Sequence, residues 1–113
     1  MRELRIISLN ARSLVNKSGN LEEIILIYDP HIIAVTETWL SSNITDFEII
    51  PPSHKMIRRD REGRGGGVAV IVKKDIPLVQ LEGIAGHESL WCTINFLNLS
   101  VLLGVVYRPP KSA

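Results

Sequence analysis

Three observations predict an α/β fold. An apolar run, a helical face and a second apolar run follow one another up to Thr36, which is the opening of an α/β unit. Runs rich in β-branched residues then recur to the end of the chain, so sheet outweighs helix. Hydrophobic residues make up 45% of the 113 residues and charged residues 22%, a balance that supports a packed core.

Taken in order, Leu4 to Leu9 is short, mostly apolar and reads as a strand. Asn20 is a helix-capping residue type with Glu23 at the capping-box position. Leu21, Ile24, Ile25 and Tyr28 then share one helical face. Asp29-Pro30 ends that helix, because a residue before proline avoids the helical region. His31 to Thr36 is apolar on both faces, which marks a central strand. Ser41 to Ser53 is polar and contains Pro51-Pro52, so it reads as a long loop with a short β piece at Phe47 to Ile50. Arg58-Arg59-Asp60-Arg61-Glu62-Gly63-Arg64 reads as a solvated, mixed-charge loop. Gly65-Gly66-Gly67 then permits a tight turn or bulge. It is no phosphate-binding P-loop, since no Gly-Lys-Ser/Thr is present and a strand follows. Gly67 to Lys73 is a strand and Ile76 to Leu81 another. Glu88 to Phe96 and Leu99 to Tyr107 form an antiparallel pair joined near Leu97-Asn98, with Trp91 expected in the core. No repeat or linker divides the chain, so residues 1–113 read as one domain.

Composition removes several classes. A formal net charge of +1 gives no global basic field. The single cysteine, Cys92, makes neither an internal disulfide nor a cysteine-based zinc site. It sits in an alternating apolar stretch as a small buried hydrophobe, which fits an intracellular, reducing compartment. The N-terminus has no signal-peptide pattern. No apolar run approaches the roughly 20 residues that span a bilayer, so no membrane is expected. The N-x-[ST] triplets at Asn16, Asn43 and Asn98 are chance matches on that reading. His31, His54 and His87 have no metal-ligand spacing and read as structural or exposed.

The chemical candidates lie at strand exits, where a strand holds a side chain rigidly. Thr36-Glu37-Thr38-Trp39-Leu40 puts the Glu37 carboxylate directly after an apolar strand. Mg²⁺ takes hard oxygen ligands and needs only one or two protein carboxylates; the alternative for Glu37 is an idle loop carboxylate. Asn10 ends the first strand, either as a metal-orienting or phosphate-binding amide or as a turn residue. Arg12 follows as a possible phosphate cation. Tyr107 ends the last strand before Arg108-Pro109-Pro110, since proline cannot continue a ladder. Its phenol either donates to a phosphate or packs as a strand-end aromatic. Arg58, Arg59, Arg61 and Arg108 are candidate backbone contacts for a nucleic acid.

Ser8-Leu9-Asn10-Ala11-Arg12, Thr36-Glu37-Thr38-Trp39-Leu40, Arg58-Arg59-Asp60-Arg61 with Gly65-Gly66-Gly67, and Val106-Tyr107-Arg108-Pro109-Pro110 occur in that order. Together they resemble the endonuclease/exonuclease/phosphatase superfamily, and most closely the endonuclease domain of non-LTR (LINE-type) retrotransposons. The resemblance implies a four-layer α/β sandwich of the DNase I-like type, present in part, with mixed sheets flanked by helices. It implies Mg²⁺ (or Mn²⁺) held by Glu37, with Asn10 and Tyr107 at the phosphate, and DNA as substrate. It implies nicking of target DNA for a reverse transcriptase domain in the same polyprotein, in the nucleus. Many relatives carry Asp or Asn where this chain has Arg12. The family's general-base Asp and terminal Ser-Asp-His group lie downstream of the Tyr-Arg-Pro-Pro strand, so the chain is expected to be the N-terminal portion of the domain and inactive alone. Glu88-Ser89-Leu90-Trp91 matches the family as scaffold. The alternatives are a phosphoesterase of the same superfamily acting on a phospholipid or small phosphate ester, and a non-catalytic remnant or binding fragment.

Overall fold

The computed structural model describes residues 3–63 and 65–109; Arg64 and Pro110, named above, lie outside them. The run Ile32-Ile33-Ala34-Val35 forms β2 (Ile32–Thr36) and is buried on both faces. Its neighbours explain that burial. β1 (Ile6–Asn10) lies parallel on one side, β4 (Val68–Lys73) antiparallel on the other, and β3 (His54–Arg59) closes the far edge. The order is β1-β2-β4-β3. A parallel neighbour requires a crossover, and α1 (Ser18–Tyr28) supplies it. The second sheet is antiparallel, with β5 (Leu78–Gln80), β6 (Ser89–Phe96) and β7 (Leu99–Val106) in the order β5-β6-β7. Leu97 and Asn98 join β6 to β7 with φ of 50° and 65°, as a two-residue turn with both central residues left-handed requires.

Strand alternation sorts the core into two layers. Ile32, Ala34, Val68, Val70 and Val72 face the second sheet and meet Leu90, Cys92, Ile94 and Val105. Ile33, Val35, Ala69, Ile71 and Met56 face the other way, against Leu14, Leu21, Leu40 and Ile49. Sheet, sheet and a helix-and-loop layer therefore stack as three layers, a partial form of the expected four-layer sandwich. β7 lies over β2 and β4, and β6 over β4 and β3. β1 projects beyond that cover, and Ile6, Ser8 and Asn10 on its inter-sheet face are exposed.

Several expectations are corrected. α1 starts at Ser18 with Lys17 in the cap position and no side-chain cap, so the Asn20 capping box does not form. Tyr28 is 60% exposed, off the buried face that Leu21 anchors. The segment around Phe47 is a short 3-10 helix (Asp46–Glu48), closed by a capping box between Thr45 and Glu48, and not a β piece. His54–Arg59 is an edge strand, although its last residues, Arg58 and Arg59, were expected in a loop, and His54 is buried within it. Trp91 is half-buried on the outer face of the second sheet, lying against Gly104 across the ladder, where a Cβ would strike its ring. Cys92 is fully buried, and burial pushes its thiol pKa up.

Candidate active site

Four segments meet at one end of the two sheets, and the strand registers dictate this. Asn10 and Thr36 are partners at the last positions of parallel β1 and β2, so Glu37 leaves the sheet beside Asn10. β4 runs antiparallel and begins with Val68 opposite Thr36. Gly66 and Gly67 therefore arrive at the same edge. Arg59 pairs with Val68, which brings the chain toward Arg61 there too. In the second sheet the Tyr107 N–H donates to the Glu88 carbonyl at 2.9 Å, continuing the β6–β7 ladder one pair beyond Ser89 and Val106.

Thr36 lies on the inter-sheet face, so strict alternation would send residue 37 to the helix side. Instead Glu37 adopts a left-handed φ of 53° and Trp39 one of 55°. These are costly for non-glycine residues and persist only where the surroundings fix them. The Thr38 and Trp39 N–H groups donate to the Gly67 and Gly66 carbonyls at 3.3 and 2.9 Å. The Glu37 and Thr38 carbonyls accept from Ser13 and Leu14 at 2.8 Å each. Held from both sides, Glu37 presents its carboxylate to Tyr107. Burial pushes the Tyr107 phenol pKa up, and the charge and hydrogen bonding of Glu37 push it further. Thr38 is fully buried and packs on Gly67, where a Cβ would strike its hydroxyl.

Glu88 was expected only as scaffold, and it sits in the middle of this end. Its Oε1 accepts the Gly67 N–H at 2.6 Å. Arg61 donates Nε to both carboxylate oxygens at 3.2 Å and Nη2 to Oε2 at 2.7 Å. The Arg61 guanidinium lies 5.8 Å from the centroid of the Tyr107 ring, within cation–π range. The Glu88 hydrogen bond raises the Arg61 pKa. A sequence signal existed for this residue. Counting outward from the Leu97-Asn98 turn pairs residue 88 with residue 107.

The cations divide. Arg58 donates to the Asp46 carboxylate at 2.9 Å and to the Ser41 and Ile44 carbonyls at 3.0 and 2.6 Å. It ties down the loop before the 3-10 helix. Arg59 donates to the Ser89 carbonyl at 3.1 Å and bridges the sheets. Arg61 is held by Glu88, so Arg58, Arg59 and Arg61 each have a partner within the chain. Arg12 and Arg108 are exposed at the site end. Asn10 is exposed beside Thr36.

The donor set fits a hard, hydrated cation. The Glu37 carboxylate is the kind of oxygen ligand that would hold Mg²⁺ or Mn²⁺ when the ion keeps most of its waters, with the Asn10 amide beside it to orient the group. Among the described residues there is no group of three or more His, Cys, Asp or Glu side chains that could hold a metal. Glu88 is committed to Arg61 and Gly67. Among the described residues no helix is long and apolar enough to cross a membrane.

Residues 7–111 match the family model described as the Endonuclease/Exonuclease/phosphatase family. No curated protein matches the sequence. Among solved structures, the endonuclease domain of TRAS1, a telomere-specific non-LTR retrotransposon, is similar with a TM-score of 0.70 and 12% identity over 97% of this chain and 47% of that one. An AP endonuclease from Archaeoglobus fulgidus gives 0.62 and 14% identity over 88% of this chain and 40% of that one. D. rerio TDP2, complexed with a single-strand DNA product, gives 0.60 and 17% identity over 89% and 44%. The chain thus spans less than half the length of these structures, and at such identities they speak to the fold. With the family model covering nearly all of the sequence, the chain belongs to the endonuclease/exonuclease/phosphatase family.

Proposed function

We propose that this chain is the Glu37-bearing part of a Mg²⁺-dependent DNA endonuclease of the non-LTR retrotransposon type, nicking target DNA to prime reverse transcription. The observation that carries it is the meeting of Asn10, Glu37 and Tyr107 at one end of two packed sheets. The likeness to the TRAS1 endonuclease domain favours DNA over a lipid or small phosphate ester. Such a role sets the protein in the nucleus beside a reverse transcriptase domain.

Each residue has a chemical task on this reading. Glu37 holds the metal, and Asn10 orients that carboxylate and the phosphate beside it. When bound, the metal supplies charge stabilisation at the phosphoryl oxygens. With substrate present, Tyr107 would turn its single O–H from Glu37 to donate a hydrogen bond to a non-bridging oxygen, favouring the more charged transition state. Arg12 and Arg108, the exposed cations at this end, are left to meet the DNA backbone. The attacking water needs a base worth about 10²–10⁴-fold, which the family resemblance assigns to a segment after Tyr-Arg-Pro-Pro. Residues 1–113 alone are therefore expected to be inactive.

The test is nicking of supercoiled plasmid with Mg²⁺, with residues 1–113 placed at the head of a full-length domain of the family. Glu37→Ala is expected to abolish nicking with the circular dichroism unchanged, and Tyr107→Phe to lower it by about 10²-fold. Nicking that survives Glu37→Ala would remove the metal-ligand assignment. Glu37-dependent nicking by residues 1–113 alone would mean that the base lies within them.

A further inference from the structure

We propose that Glu88 is a positioning residue: its carboxylate ties the β3–β4 turn of the first sheet to the β6–β7 end of the second, and so sets Glu37 against Tyr107. This rests on reading Glu37 and Tyr107 as the reacting pair. Glu88 itself is neither a metal ligand nor a base. Its Oε1 is taken by the Gly67 N–H and Arg61, and its Oε2 by Arg61.

Both site side chains depend on Glu88, one through each end of the residue. On the first-sheet side, the carboxylate accepts the Gly67 N–H at 2.6 Å. The Gly67 and Gly66 carbonyls accept the Thr38 and Trp39 N–H groups, which fixes the left-handed turn that aims Glu37. On the second-sheet side, the Glu88 carbonyl accepts the Tyr107 N–H, and its partner Arg61 lies over the Tyr107 ring. The glycines make room for this. Gly66 has φ +63°, and a Cβ there would strike both the Arg61 guanidinium and the Glu88 carboxylate. The contacts are charge-assisted and the Arg61 fork is two-pronged, so they carry direction as well as strength. Arg61 and Glu88 side chains are only 32% and 17% exposed, which limits screening by solvent.

Glu88→Gln keeps the size and one acceptor for Gly67 but removes the charge that holds the fork. Solution NMR of the full chain reads the consequence. Glu37→Gln is expected to move the Tyr107 ring signals, because it removes a charge from beside the phenol. In a Glu88→Gln background the same change is expected to leave those signals in place. If the Tyr107 response to Glu37→Gln persists undiminished there, Glu88 is merely structural and the proposal is overturned.

Mn²⁺ alone supplies a second readout. In the wild type it is expected to broaden the Thr36 and Thr38 amides and the Tyr107 ring together. In Glu88→Gln it is expected to broaden the amides and spare the ring; equal broadening of the ring overturns the proposal. If Mn²⁺ broadens none of these signals in the wild type, the metal reading of Glu37 fails, while the Glu37→Gln response still decides the role of Glu88. Should Glu88→Gln fail to fold, Arg61→Lys keeps the charge and removes the fork. The same loss of response is expected, and an unchanged response overturns the proposal.

Discussion

At β2 and β4 the first sheet is covered on both faces; the second sheet is covered on one. In β4 the side chains from Val68 to Val72 are all fully buried, whether they face the second sheet or the helix layer. In β7 Val105 is buried, while Leu102 and Val106 on the opposite face are 64% and 57% exposed. β7 is also an edge strand, and its eight residues include no charge and no proline, the usual protections of an exposed edge. An apolar face beside an unprotected edge is a packing surface. The contrast bears on the site. Glu37 follows a strand braced on both faces, whereas Tyr107 extends from a sheet braced on a single side. The second sheet is therefore the part whose position needs a separate fixture, and the Arg61–Glu88 fork is placed to supply it.

The largest expected effect tests the bracing of the first sheet. Ile71→Ala opens a cavity in a fully buried position and is expected to cost about 2–5 kcal/mol, read from denaturant unfolding. A much smaller loss would mean that the helix layer does not pack as described. Next comes the turn. Gly67→Ala combines a φ of +88° with a clash at the Thr38 hydroxyl and is expected to cost about 1–3 kcal/mol. It should also separate Glu37 from Tyr107, seen as loss of the Tyr107 NMR response to Glu37→Gln.

The same contrast explains what the sequence made legible. β2 and β4 announce themselves because strands buried on both faces are continuous apolar runs. Asn10, Glu37 and Tyr107 were singled out as candidates because each ends or directly follows a mostly apolar run. β3 escaped because an edge strand with Lys55, Arg58 and Arg59 does not alternate cleanly; the stems of long basic side chains cover apolar surface while their heads find partners. Those partners, the Ser41 and Ile44 carbonyls, Asp46 and the Ser89 carbonyl, lie many residues away. The internal partners of the arginine run were therefore not legible in the sequence. Trp91 was misplaced although alternation from Leu90 and Cys92 already sent it outward. Glu88 was overlooked as chemistry because a carboxylate before a strand has no periodic signature, only its pairing with residue 107.

Acid should weaken the first sheet at the end away from the site. His31 has its pKa lowered by burial first, then by Lys73 and Arg5, and its Nδ1 accepts the Arg5 N–H at 2.9 Å. The His54 pKa is lowered by burial and then by Lys73, and its Nε2 is buried with no hydrogen-bond partner among the described residues. Both titrate near 6.5 when unfolded, so below that pH the unfolded chain takes up protons that the folded chain refuses. Stability is therefore expected to be full above 6.5 and to fall as pH drops through the two folded values. Asp29, lowered chiefly by its hydrogen bond to Lys73, adds a separate loss at lower pH, below 3.8. Melting temperature against pH reads both windows. His54→Gln should flatten the upper one; an unchanged slope there would assign it to His31.

The smallest expected effect bears most directly on the uncovered face. Leu102 points outward opposite Thr93, so Leu102→Thr removes no buried contact and keeps a strand-favouring branched residue. Its expected cost is within about 0.5 kcal/mol. Val105→Ala, three positions along on the covered face, deletes part of a buried side chain and is expected to cost more than that. Leu102→Thr should also reduce binding of a hydrophobic dye, since it breaks the apolar patch without altering the core. The two readouts separate the cases. A large loss of stability from Leu102→Thr, with sedimentation showing a species heavier than one chain, would mean that the face is covered in solution by a second copy. The second sheet would then be braced on both sides, and the difference between the two sheets would belong to the single chain and not to the protein in solution.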